Sequence, residues 1–345
     1  MSTHYYYTQL NKQEQAAYYA LLQGLNSLAP SFMVPRLEGD ALFKIHFLLR
    51  LDHPEVFWSA GIKYKYYDNS SSVEVVPEYL FDKKKIQEHQ KAMTSRVEKV
   101  ARPAMSLKEE EKLKYIHDFI CENVYYDKLK KQYSHEIIGP MGQGVGVCEG
   151  IAKSVKILCD ALNIWCTIAI SEANPEKGIK YRHAWNVLKI NGKYYHLDAT
   201  FDNSLGKGRD KVAAEELRYD YFMLSDKQVF RDHEPVIWRV PECSDGEAFY
   251  YKTKKVSFTK LEDIRKRAAQ AVKKGKTLTF HWRGDYLTRE RLMEILGIIE
   301  EEAAAKNKHA KVSVNVRQAV IRAAFGDMIP QEQIIEEEAN EGEMI

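Results

Sequence analysis

Apolar positions recur along this chain at two spacings, and the switches between them divide it into elements. Over 11–27, NKQEQAAYYALLQGLNS, the residues Ala17, Leu21, Leu25 and then Leu28 fall on one helical face, and Asn11 with Glu14 has capping-box spacing. A second helix is predicted to start after Asp40 and to end before Pro54. IKYKYYD and SVEVVPEYL flank the turn residues DNSS and read as a β-hairpin. The charged run at 82–100 reads as a solvated amphipathic helix. Ser106 and Glu109 give another capping pattern, before a helix whose buried face is Leu113, Ile116, Ile120 and Val124.

Periodicity then stops. Residues 125–147 hold Tyr125, Tyr126, a Gly139-Pro140 pair and glycines 142, 144 and 146, and read as a long loop. It feeds a helix at 149–162 with Ile151, Val155, Leu158 and Leu162 on one stripe. Cys148 stands at the junction. Cys159, beside that stripe, and Cys166, in the apolar strand WCTIAI, read as small core residues. Pro241 and ECSDG mark a boundary. Beyond it YYKTKKVSF, 260–274, TLTFHW, 288–305 and KVSVNVR alternate strand and helix, which predicts a small α/β domain over 246–330. The end, 331–345, has six glutamates in QEQIIEEEANEGEMI and is expected to be a disordered acidic tail.

The stretch RHAWNVLKINGKYYHLDATFD changes the picture. Two β-forming runs flank Asn191-Gly192, the strongest short hairpin signal. A two-residue turn there sets Ile190 opposite Lys193, Trp185 opposite Asp198 and His183 opposite Thr200. Those four residues, His183, Trp185, Asp198 and Thr200, then share one face. His183 and Asp198 become diagonal neighbours with Cα atoms about 7–8 Å apart, a gap imidazole and carboxylate can bridge. His196 falls on the same face and is a competing imidazole.

Such a pair has a use beside a thiol. An adjacent imidazolium stabilises a thiolate, a carboxylate on the far ring nitrogen fixes the tautomer, and a helix start favours negative charge. That start also offers N–H groups to a developing oxyanion. Glycines 144, 146 and 150 would let a substrate backbone approach the sulfur. Gln143, Tyr125 and Tyr126 are candidates for a second oxyanion or substrate contact. Trp185 either shields the His–Asp bond or is core, and Asp202 is read as ordering the segment after it. No CxxC or HxxxH spacing suggests a metal site.

Composition adds bounds. Hydrophobic residues are 45% and charged residues 29%, as in ordinary globular proteins. A net charge of +2 gives no support to nucleic-acid binding. No run approaches about 18 apolar residues, so no membrane span is expected. MSTHYYYTQLNKQEQ has no secretory pattern, and the five cysteines are odd in number, so free thiols in a cytoplasmic setting are expected.

GVCEG entering a helix, then HAWN, then YYHLDATFD resemble the transglutaminase-like superfamily in its bacterial branch, from about Ser106 to Asp232 and including RYDYFMLSD. DHPEVFWS and the hairpin after it resemble the N-terminal region of such bacterial proteins. The resemblance implies an α+β fold with a papain-like core over 105–243, its cysteine helix packed on an antiparallel sheet bearing His and Asp. An N-terminal α+β region (1–104) would precede it and the small α/β domain would follow. It implies Cys148 as nucleophile, His183 as base and Asp198 as orienter, attacking an amide carbonyl of a protein or peptide through an acyl-enzyme. The second acceptor, water or amine, stays open. No cofactor, calcium included, is expected. Glu149 stands where animal transglutaminases carry an aromatic residue, so their substrate tunnel is not expected. The alternative is a non-catalytic protein-binding module on the same scaffold.

Overall fold

A single turn, α1 (Tyr5–Thr8), precedes α2 (Lys12–Ser27), which opens on the foreseen capping box. The Asn11 side chain accepts from the N–H groups of Gln13 and Glu14, and the Glu14 carboxylate accepts from the Asn11 N–H at 3.0 Å. In this computed structural model the described residues are 4–177, 179–206, 217–283 and 287–327. The chain divides into two compact units, 1–204 with 221–246 and 205–220 with 247–345. The acidic stretch 331–345 lies outside the described residues.

In the first unit, β1 (Phe32–Pro35), β2 (Ser59–Lys65) and β3 (Ser72–Tyr79) form an antiparallel sheet in the order β1-β3-β2. The β2–β3 hairpin was legible; β1, only four residues long, was not. Between them runs α3 (Ala41–Asp52), followed after β3 by α4 (Lys83–Ala101) and α5 (Glu109–Asn123). The last starts later than the Ser106–Glu109 pattern predicts. Its N-cap is Lys108, whose N–H is taken by the Glu111 carboxylate at 3.1 Å, so one Glu of a run of three was exchanged for another.

Two short strands, β4 (Tyr125–Tyr126) and β5 (Val145–Gly146), pair in parallel and close the long loop on itself. Then comes α6 (Cys148–Ala161), packed against α4, α5 and a four-stranded antiparallel sheet. That sheet runs β6 (Trp165–Ser171), β7 (His183–Ile190), β8 (Lys193–Leu197), β9 (Phe222–Leu224), in that order. Ile151, Val155, Leu158 and Leu162 are all 2% exposed or less. Burying each contributes about 1.5–3 kcal/mol, and together they fix the rotation of α6, hence the bearing of Cys148. From Ile190 opposite Lys193 to Asn186 opposite Leu197 the hairpin register is the predicted one, but the pairing stops there. Trp185 does not pair with Asp198, and Thr200 lies in the helix that follows rather than opposite His183, because the chain coils after Asp198. Asn191 and Gly192 adopt positive φ, 49° and 82°, as the tight turn requires. After β8 come α7 (Ala199–Gly206) and α8 (Asp226–Val229).

In the second unit α9 (Tyr250–Thr253) and β10 (Ser257–Phe258) occupy the segment read from sequence as one strand. Only its last two residues find a strand partner, so the first turn coils. Next are α10 (Leu261–Lys274), β11 (Leu278–Trp282), α11 (Arg289–Ala304), β12 (Lys308–Asn315) and β13 (Val320–Asp327). The sheet order is β10-β11-β13-β12, parallel only between β10 and β11. β13 was missed, and it is the strand that carries the sheet, its Ile321 and Ala323 fully buried. No helix among the described residues is long and apolar enough to cross a membrane.

Candidate active site

Cys148 is the first residue of α6, and the loop before it is built to deliver it there. Gly144 takes a left-handed φ of 67°, turning the chain into β5. The Asp127 carboxylate ties the loop together, accepting from Leu129 N, Lys131 N and Ser134 Oγ. The Ser134 carbonyl in turn accepts from Val147 N at 3.0 Å, immediately before the cysteine. A Cβ on Gly150 would lie 2.2 Å from that Ser134 carbonyl, and one on Gly146 2.5 Å from Pro140. The expectation that these two glycines clear a path for substrate is therefore corrected: the protein's own loop fills the space.

Of the five cysteines, all among the described residues, Cys148 is the one not buried. Its thiol acts on His183, the first residue of β7, and helps to hold that imidazole's proton. His183 Nε2 faces Asp198 Oδ2 at 2.6 Å, which leaves Nδ1 as the nitrogen for the sulfur. Burial alone would push the His183 imidazolium down. The Asp198 carboxylate, by charge and hydrogen bond, and Cys148 after it outweigh burial and hold it up at about 10.

Asp198 lies one residue past β8 and one before α7, its N–H bonded to Tyr221 O. Its Oδ1 accepts from the N–H groups of Thr200 (2.8 Å) and Phe201 (3.0 Å), so the carboxylate caps α7. Burial would raise its carboxyl, but His183 and then His233 bring it well below the usual carboxylate range. His233, which sequence reasoning did not single out, also meets Asp198 Oδ2, at 2.9 Å. The available signal was only an Asp-His pair, Asp232-His233, in the RYDYFMLSD neighbourhood.

The competing imidazole is disqualified by its partners. His196 Nδ1 accepts from Trp185 Nε1 at 2.9 Å, so its proton sits on Nε2, 2.7 Å from Asp226 Oδ1. The same bond spends the Trp185 N–H, which is thus turned away from any substrate. Trp185 is 1% exposed and stacks on the His183 ring, 5.7 Å between centroids at 19°. Tyr125 and Gln143 are exposed. Tyr126, also exposed, is pushed up to about 12, first by desolvation and then by the charges of Cys148, Asp127 and Asp198, so its phenol lies in the field of the site. Asp202 is buried between His117 Nε2 (3.1 Å) and the Tyr221 N–H, and orders the chain after α7.

Glu149 enters a buried ion network. Lys153 binds both Glu136 and Glu149 at 2.8 Å, and Arg50 joins the same two carboxylates. The network pins α3 and the 132–136 turn to the first turn of α6.

Two groups among the described residues bring metal-ligating atoms within 4.8 Å: His183, Asp198 and His233, and His196, Asp226 and Cys243. In the first, both Nε2 atoms already lie at hydrogen-bond distance from Asp198. In the second, a metal on His196 Nε2 would force a proton onto Nδ1, against the Trp185 donor.

Residues 94–199 match the model of the transglutaminase-like superfamily, and that segment contains Cys148, His183 and Asp198. The chain is transglutaminase-like over this stretch. Among solved structures it is similar to one described as a TGase, at 12% identity over 46% of this chain and 48% of that one, TM-score 0.28. A Cytophaga hutchinsonii protein provisionally described as a cysteine protease aligns at 18% identity over 40% and 61%, TM-score 0.27. A Parabacteroides distasonis protein provisionally described as a protease aligns at 14% over 41% and 37%, TM-score 0.26. The chain spans about half the length of the first of these. No curated protein matches.

Proposed function

We propose that this chain is a cysteine enzyme acting on amide bonds of proteins or peptides, on a papain-like core whose helix carries Cys148 and whose sheet carries His183 and Asp198. The observation that carries the reading is the 2.6 Å contact of His183 with Asp198 beside Cys148, whose thiol also helps to hold the His183 proton, three residues from three separate segments. The Cys148 thiolate adds to the carbonyl carbon. The tetrahedral oxyanion is met by N–H groups at the α6 start, which lack an i−4 carbonyl partner, with the Tyr126 phenol as the favoured second donor and Gln143 as the other. The C–N bond then breaks, the amine leaves with a proton from the His183 imidazolium, and an acyl-enzyme remains. Water or an amine, deprotonated by His183, returns the thiol. Asp198 holds the imidazole in orientation and balances its charge.

Peptide pools incubated with the protein, with and without a primary amine, test this by mass spectrometry. A loss of about 17 Da marks acyl transfer with release of ammonia, and a gain of about 18 Da marks hydrolysis. Both should vanish in Cys148→Ala. Identical spectra for wild type and Cys148→Ala, with a partner still captured by both, would favour the binding-module reading.

A further inference from the structure

We propose that His233 is a positioning residue of this site: clamped between Asp198 and Asp232, its ring fixes the carboxylate that orients His183. The inference rests on the function proposed above. Its first support is saturation. Asp198 Oδ1 takes two backbone N–H groups, and Oδ2 takes two imidazoles, His183 at 2.6 Å and His233 at 2.9 Å. A carboxylate has about four lone-pair sites, and all are filled. It can neither rotate nor turn a free lobe toward a wandering His183.

The second support is that His233 is itself immobilised. Its side chain is fully buried, its Nδ1 lies 2.9 Å from Asp232 Oδ1, and its N–H bonds the Val229 carbonyl at the exit of α8. The Tyr221 hydroxyl donates to Asp232 Oδ2 at 2.6 Å, bracing the far end. With an acceptor on each ring nitrogen, the ring is a double donor, which only the imidazolium can be. Burial opposes that charge, but Asp198 and Asp232 raise it above the ordinary histidine range, with His183 working against them.

The third support is charge and dryness. The groups facing His233 are Asp198, Asp232, His183, the neutral His196 and the Tyr221 phenol. Trp185, Phe201 and Tyr221 rings lie 4.8, 4.7 and 5.6 Å from its centroid and keep water off. Two imidazoliums and two carboxylates leave the cluster neutral. Removing His233 would leave a buried negative charge in excess and one lobe of Asp198 empty, which low dielectric makes costly.

Alkylation of Cys148 by iodoacetamide, followed by mass spectrometry on the folded full-length chain, tests this without a known substrate. His183→Ala should slow the reaction at neutral pH. His233→Ala should slow it about tenfold, the size expected for one hydrogen bond to a charged group. His233→Gln, whose amide reaches Asp198, should restore most of the rate, and His233→Asn, whose amide reaches only toward Asp232, should not. In the His183→Ala background, His233→Ala should add nothing, because a positioning residue acts through its partner. Thermal melts identify any variant that fails to fold; the Gln and Asn pair then carries the comparison. Equal rates for His233→Gln and His233→Asn, or the same loss with and without His183, overturn the inference while leaving the Cys148 site standing. A wild type no faster than His183→Ala overturns the site reading itself.

Discussion

His183 and Asp198 meet at 2.6 Å, although the hairpin pairing of their strands stops one residue short of Asp198. The contact is held from outside the hairpin by the start of α7 and the Tyr221 carbonyl. Asp198→Asn keeps the shape but presents an amide to two imidazole donors. Any amide-bond activity should fall by about 10³-fold or more, as when an orienting carboxylate is lost elsewhere. Turnover of a peptide identified in the mass-spectrometric screen measures it.

The pair also predicts a pH dependence of stability. His183 is raised from 6.5 to about 10, so its contribution is fully present below pH 6.5 and is lost as pH rises toward 10. Asp198 is depressed, so its contribution is present above an ordinary carboxylate value of 3.8 and fades as pH falls through its lowered one. The stability gap between wild type and His183→Gln should thus be widest from about pH 4 to 6.5 and narrow toward pH 10. Urea midpoints across that range measure it; a gap that widens with alkali would contradict the assignment.

Folded protein treated briefly with iodoacetamide should carry its label on Cys148. Cys121, Cys159, Cys166 and Cys243 are 4% exposed or less, and burial pushes the Cys121 and Cys243 thiols up. Peptide mapping reads the sites, and denaturant should release the other four. Cys121 is the sharper control, because it too lies against a histidine and an aspartate, His117 and Asp202, yet is sealed in the core.

Gly150→Ala should loosen the delivery of Cys148 without touching it. The added methyl meets backbone, the Ser134 carbonyl, rather than a side chain able to swing aside. Overpacking of this kind costs about 1–3 kcal/mol, and calorimetry together with the Cys148 alkylation rate should both register it.

In the ion network, Glu136→Gln should cost more than Glu149→Gln. The Glu136 side chain is 3% exposed and Glu149 17%, and each is shared by Arg50 and Lys153. Leaving buried cations short of a partner costs about 3–5 kcal/mol when solvent is excluded, less where water reaches. Chemical denaturation ranks the two.

Much of this was legible where the physics is local. The Asn191-Gly192 turn fixed the β7–β8 register as far as Leu197, which brings Asp198 to the neighbourhood of His183, while the start of α7 and Tyr221 set the contact itself. The stripe on α6 and the cap at Asn11 need only neighbours in sequence. What stayed hidden depends on distant contacts. His233 reaches Asp198 from 35 residues away by a short helix with no periodic signature. β13 is a strand because β11 and β12 flank it, and Tyr250–Thr253 coils into α9 instead of joining the sheet. Glycines 146 and 150 looked like room for a ligand because sequence does not show which chain comes close.

The two oxygens of Asp198 have separate employments, one starting a helix and the other steadying imidazoles. Anyone wanting an inert version of this protein to trap a substrate should therefore leave position 198 alone. A lesion there would mix a damaged scaffold with a disabled reaction, whereas Cys148→Ala removes one atom from a half-exposed edge and leaves the framework that would hold the captured molecule.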